Sequence, residues 1–121
     1  MGRERSEECK QLLRLVRDGK INALVTDFTI HSIIVLMDGF KRLDALKTFL
    51  ASLTAYKGLK IHHTSLADEL TAVEIALTQG LDMDDAIQYS AALSSNAESI
   101  VSFDKHLDGL KTPRREPKNL L

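Results

Sequence analysis

The sequence predicts an α/β protein with a mainly parallel sheet and helices on both of its faces. Short apolar runs, "NALV" at 22–25, "LKIH" at 59–62 and "SIVSF" at 99–103, read as strands. Helical stretches of ten residues or more lie between them, which suits right-handed βαβ crossovers and is too long for hairpin turns. The 121 residues, 44% of them hydrophobic, are enough to bury a core without covalent staples. One domain over residues 1–121 is therefore expected, with 111–121 as a flexible tail or an edge segment.

Each element has its own signal. Cys9, Leu12, Leu13 and Val16 recur at helical spacing, Ser6 can cap their helix over 6–18, and Gly19 can end it. The first strand runs into Thr26, which opens a helix to about Asp38 and Gly39. His31 lies on that helix opposite Ile30, Ile33, Ile34 and Met37, where a packed histidine is the ordinary outcome. "RLDALKTFLASL" sets Leu43, Leu46, Leu50 and Leu53 on one face of an amphipathic helix ending near Gly58. After the second strand, Ser65 and Asp68 form a capping-box pair, and Leu66, Leu70, Val73 and Leu77 mark the expected buried stripe of a helix up to Gly80. A helix from Asp82 to about Ser95, the third strand and a tail punctuated by Pro113 and Pro117 complete the order.

Composition narrows the classes of function. Cys9 is the single cysteine, so no intramolecular disulfide can form, and a reducing, cytoplasmic compartment is the natural reading. "MGRERSEECKQ" holds no apolar signal-peptide core, and no run approaches the ~18 apolar residues of a membrane span. A net charge of −1 gives no overall pull on polyanions, which leaves two local basic patches: Arg3 with Arg5, and Lys111, Arg114, Arg115 and Lys118. Both patches equally suit solvated chain ends. No "GxxxxGK", "GxGxxG", "CxxC" or "GxSxG" occurs, and the 5% aromatic content without tryptophan argues against a base-stacking platform. His62 and His63 are adjacent on a strand and point to opposite faces, so they do not readily share one ion.

The acids are the most informative residues. In "LDMDDA", Asp82 suits an N-cap and Asp84 and Asp85 suit the first helical turn, where free N–H groups favour negative charge. Asp104 closes the third strand and suits a cap for "KHLDGL". In a parallel α/β sheet, however, strand C-termini and helix N-termini lie on the same side, so Asp85 and Asp104 belong to one edge. Carboxylates gathered there without cysteine or histidine suit a hard, oxygen-ligated cation such as Mg²⁺ or Mn²⁺, the chemistry of metal-assisted phosphodiester cleavage.

"GLDMDDAIQYSAALSSNAESIVSFDKHLDGL" resembles the C-terminal half of PIN-domain proteins, the family of VapC-like toxin ribonucleases, and "GKINALVTDFTIHSI" resembles that family's second strand and following helix. The resemblance spans about Ser6 to Leu110. It implies a three-layer α/β/α sandwich and a Mg²⁺- or Mn²⁺-dependent endoribonuclease acting on RNA. It further implies frequent homodimerisation and an antitoxin-like protein partner. Residue by residue, Asp85 matches the family's metal-binding aspartate before alanine, Asp104 the aspartate closing the strand, and Ser102 the hydroxyl that helps orient metal or water. Asp84 is a plausible outer acid of the same metal site.

Two departures accompany the resemblance. The family begins with a central strand ending in an "LDTN"-like motif and its first catalytic aspartate, and this chain is expected to start after that point. The family's second acid is a glutamate in the helix after the second strand, where His31 or Ser32 stands here, making His31 a candidate substitute ligand. The competing reading is a degenerate, non-catalytic PIN fold that serves as a protein interaction or oligomerisation module.

Overall fold

A computed structural model of the chain describes residues 2–121. In order, the elements are α1 (Gly2–Arg17), β1 (Ala23–Thr26), α2 (Asp27–Gly39), α3 (Leu43–Leu53), β2 (Leu59–His62), α4 (Leu66–Gln79), α5 (Met83–Ser94) and β3 (Ile100–Val101), followed by a 3₁₀ turn (Lys105–Leu107), β4 (Arg114–Arg115) and a second 3₁₀ turn (Pro117–Leu120). The α/β class is as expected. The strands form two parallel pairs, β1 with β2 and β3 with β4, rather than one continuous ladder. The chain comprises two units, one of residues 10–63 and one combining residues 1–9 with 64–121. Helix α1 starts in the second unit and ends in the first. It also starts earlier than the Ser6 cap suggests, because Arg3, Glu4 and Arg5 are all good helix formers and nothing before Ser6 breaks the helix.

In the unit of residues 10–63, α1 ends in a Schellman motif. Gly19 adopts a φ of +78°, its N–H donates to the Val16 carbonyl at 3.1 Å, and the Lys20 N–H donates to the Leu15 carbonyl at 2.9 Å. The chain then enters β1, which pairs in register with β2 from Ala23 opposite Leu59 to Thr26 opposite His62. Gly58 leads into β2 where backbones crowd together. Its N–H donates to the Val16 carbonyl at 2.9 Å and its carbonyl accepts from the Ala23 N–H at 2.8 Å. A Cβ there would lie 2.2 Å from the Ile21 carbonyl oxygen, so only glycine fits.

Thr26 ends β1 and caps α2 at once. Its hydroxyl accepts from the Thr29 N–H at 3.2 Å, and the residue is only 2% exposed. Along α2 the apolar residues do not all turn inward: Val35 and Leu36 are exposed, as is Phe40 at its C-cap, and so is His31, which is not the packed histidine expected. On α3 the expected stripe is buried only at Leu46, with Leu50 and Leu53 half-buried and Leu43 exposed.

In the other unit, α4 opens with the expected capping box. The Ser65 hydroxyl accepts from the Asp68 N–H at 3.1 Å, and the Asp68 carboxylate accepts from the Ser65 N–H at 3.0 Å. The buried face of α4 is a correction. Ala72, 0% exposed, packs with Ile75 and Ala76 against Ala86 and Ile87 of α5, whereas Leu66 and Leu77 are 82% and 80% exposed and Leu70 and Val73 also face out. Small side chains win the contact because they let two helix backbones approach closely, and α5 answers with Ala86. Tyr89 of α5 is buried with its hydroxyl accepting from the Lys111 N–H at 3.2 Å. The segment after Leu110 thereby enters the structure and supplies β4, with Ile100 opposite Arg114 and Val101 opposite Arg115.

Candidate functional site

The acids singled out in the sequence gather at the start of α5 and the end of β3, both within the unit of residues 1–9 and 64–121. Asp82 is the N-cap of α5, its carboxylate accepting from the Asp85 N–H at 2.9 Å. Asp84 and Asp85 occupy the first turn. Asp84 is exposed and accepts from Gln88 Nε2 at 3.2 Å, one turn along the helix. Asp85 is half-buried, and its neighbours along the chain, Ala86 and Ile87, are core residues. Helix periodicity therefore turns Asp84 to solvent and keeps Asp85 at the border of the core.

Beyond Val101 the chain turns through Ser102 and Phe103 to Asp104. The Ser102 hydroxyl accepts from the Asp104 N–H at 3.0 Å. Asp104 then caps the first 3₁₀ turn, its Oδ1 accepting from the His106 N–H at 2.9 Å and standing 3.0 Å from His106 Nδ1. Arg5 of α1 lies over the Phe103 ring, 4.5 Å from its centroid, a cation–π contact that ties the start of α1 to this turn.

Asp85 records the meeting of the two ends in its proton affinity. Partial burial pushes its carboxyl above the usual carboxylate range, and the negative charges of Asp82, Asp104 and Asp84 push it further the same way, with His106 opposing. Asp104 is thus close enough to Asp85 for their charges to repel. The sequence singles out Asp85 and Asp104; Asp82, read there as a cap, and His106 act on Asp85 as well, each two or three residues from one of the named acids.

An oxygen-only donor set suits Mg²⁺ or Mn²⁺ rather than zinc or copper. Among the described residues, no three His, Cys, Asp or Glu side chains come together as a set able to hold a metal ion. Mg²⁺ keeps much of its water and is commonly held by one or two carboxylates plus substrate phosphate. A carboxylate pair in mutual repulsion fits that sparse mode, since a cation placed there removes the repulsion.

The remaining candidates lie elsewhere. His31 is on the exposed side of α2 in the unit of residues 10–63. In that same unit His63 Nδ1 stands 3.8 Å from Asp27 Oδ2, at the end where β1 and β2 finish and α2 begins. Of the basic residues near the C-terminus, Arg114 is engaged within the fold: its Nε donates to Asp108 Oδ1 at 2.7 Å and its Nη1 donates to Glu116 Oε2 at 3.1 Å. Among the described residues, no helix is long and apolar enough to cross a membrane.

Comparison with known proteins gives one result. A family model described as PIN domain matches residues 2–112, nearly the whole chain and both groups of elements above. No curated protein and no solved structure shows a match.

Proposed function

The chain belongs to the PIN-domain family, and on that premise we propose that it is a VapC-like, Mg²⁺- or Mn²⁺-dependent endoribonuclease with Asp85 and Asp104 as its metal-side acids. PIN domains are generally nucleases that act on RNA and use divalent metal ions. The observation that carries the reading is the placement of Asp85 in the first turn of α5 and of Asp104 just past β3, within one unit of the chain. Asp85 and Asp104 would hold the cation, with Asp84 as an outer acid. When bound, the cation supplies Lewis-acid chemistry, polarising a phosphoryl oxygen and lowering the pKa of a water. The Ser102 hydroxyl, by accepting from the Asp104 N–H, holds the turn that presents Asp104.

The same reading includes one three-layer α/β/α domain, a cytoplasmic location, an antitoxin-like partner and a homodimer. The outward stripe of Leu66, Leu70, Val73 and Leu77 supports a homodimer. A second reading, a degenerate PIN fold kept as an interaction module, draws on the caps that Asp82 and Asp104 already serve and on the lack of a three-residue ligand group among the described residues.

Incubating mixed-sequence RNA with this chain and with an N-terminally extended one, in Mg²⁺, in Mn²⁺ and in chelator, separates the two. The nuclease reading expects metal-dependent cleavage that Asp85→Asn and Asp104→Asn each lower by about 10²-fold or more. No metal-dependent cleavage by either chain would leave the interaction module as the better account.

A further inference from the structure

The turn that carries Asp104 has little of its own to hold it. β3 is two residues long, and the 3₁₀ turn after Asp104 is three. Isolated pieces of that size do not persist in water, so contacts from outside them fix the angle at which the chain leaves β3, among them the Ser102 N–H donating to the Arg115 carbonyl at 3.0 Å and Arg5 over the Phe103 ring.

Arg114 is placed to do this. Its side chain is only 13% exposed, and its planar fork reaches three acceptors on three segments. Nε donates to Asp108 Oδ1 at 2.7 Å, and Nη1 donates to Glu116 Oε2 at 3.1 Å and to the Ser102 backbone carbonyl at 3.0 Å. The last of these grips the residue just past the end of β3. From Ser102 the hydrogen bonds continue along the chain: its hydroxyl accepts from the Asp104 N–H, and Asp104 Oδ1 accepts from the His106 N–H. Two carboxylates offset the cost of drawing the guanidinium in from water, which leaves its third contact free to act on geometry. A lysine would bring the charge without the fork.

We infer that Arg114 is a positioning residue for the acidic edge, setting the direction of the Asp104 carboxylate through the Ser102 carbonyl. Its donors are taken up by Asp108, Glu116 and the Ser102 carbonyl. The inference rests on Asp104 as a metal-side acid only for its consequence in binding, whereas the geometric part stands in the metal-free chain.

The test uses the whole chain as wild type, Arg114→Met, Arg114→Lys and Tyr89→Phe, the last removing the acceptor of the Lys111 N–H as a control for lost stability in the same unit. Amide hydrogen exchange at Asp104 and His106, read by NMR without metal, is expected to rise about tenfold in both Arg114 variants and to stay near wild type in Tyr89→Phe. Mn²⁺ affinity, read by electron paramagnetic resonance, is expected to weaken about tenfold or more in the Arg114 variants, the usual effect of losing an outer-shell support. Unchanged exchange in the folded Arg114→Lys variant, or an equal rise in Tyr89→Phe, would overturn the inference. Wild-type chain that binds no Mn²⁺ would overturn the metal reading instead, and the exchange data would still decide the role of Arg114.

Discussion

Replacing Gly58 by alanine tests the packing of the unit of residues 10–63 at its tightest point. The added Cβ would lie 2.2 Å from the Ile21 carbonyl oxygen and 2.8 Å from that of Val16, where an ordinary contact begins at 3.4 Å. Both obstacles are backbone atoms, so no side chain can rotate away. Relief requires Gly58 to move, which lengthens the bonds to the Val16 carbonyl and from the Ala23 N–H, now 2.9 and 2.8 Å. Each such bond contributes about 1 kcal/mol net, and overpacking itself costs about 1–3 kcal/mol. A loss of roughly 3–5 kcal/mol follows, a large share of the ~5–15 kcal/mol that holds a domain of ordinary size. Urea denaturation followed by circular dichroism measures it, with Gly39→Ala as the reference. Gly39 closes α2 with nothing within 4 Å of its would-be Cβ, so there alanine should stabilise by about 0.5–1 kcal/mol. A Gly58→Ala loss below ~1 kcal/mol would mean that the close approach of these backbones is not a constraint on the fold.

Three further outcomes are expected. The ionised form of Asp85 is the costly one in the folded chain, a cost that is full above its raised proton affinity and vanishes below the unfolded value of ~3.9. Asp85→Asn should therefore raise the denaturation midpoint at neutral pH while giving no gain near pH ~3; equal midpoints at neutral pH would refute the cost that burial and the neighbouring acids place on the ionised form. Ser65→Ala removes one half of the α4 capping box and should cost about 1 kcal/mol, measured by the same denaturation, and an unchanged midpoint would show that the cap contributes nothing. Leu70→Glu and Leu77→Glu should convert a wild-type dimer to monomer in sedimentation while leaving the far-ultraviolet spectrum intact, since both side chains already face out; a wild-type chain that sediments as a monomer sinks the proposed homodimer.

Local rules explain what could be read in advance. Thr26, Ser65 and Asp82 each stand at a helix start because a short side-chain oxygen satisfies N–H groups that the helix leaves open, and that preference is written in single residues. Gly19 and the strand at 59–62 were legible for similar reasons. The facing of α4 was not. Leu66, Leu70, Val73 and Leu77 carry the apolar period, yet Ala72 and Ala76 take the contact with α5, and period alone does not say which of two faces a neighbour of matching shape will choose. At the candidate site, residue type and place along the chain pointed to Asp85 and Asp104. The grip of Arg114 on Ser102 could not be foreseen, because it depends on β4 lying parallel beside β3, a pairing of two-residue strands too short to leave a pattern.

The pairing of β3 with β4 also orders events during synthesis. The unit of residues 10–63 is one continuous stretch and can begin to organise while later residues are still being made. The other unit draws on residues 1–9 and 64–121, and β3 has no partner until Arg114 and Arg115 exist. The strand that presents Asp104 is therefore paired only after residues 114 and 115 have been made. A nascent chain not yet extended past Arg115 would carry the pieces of its acidic edge without the edge itself.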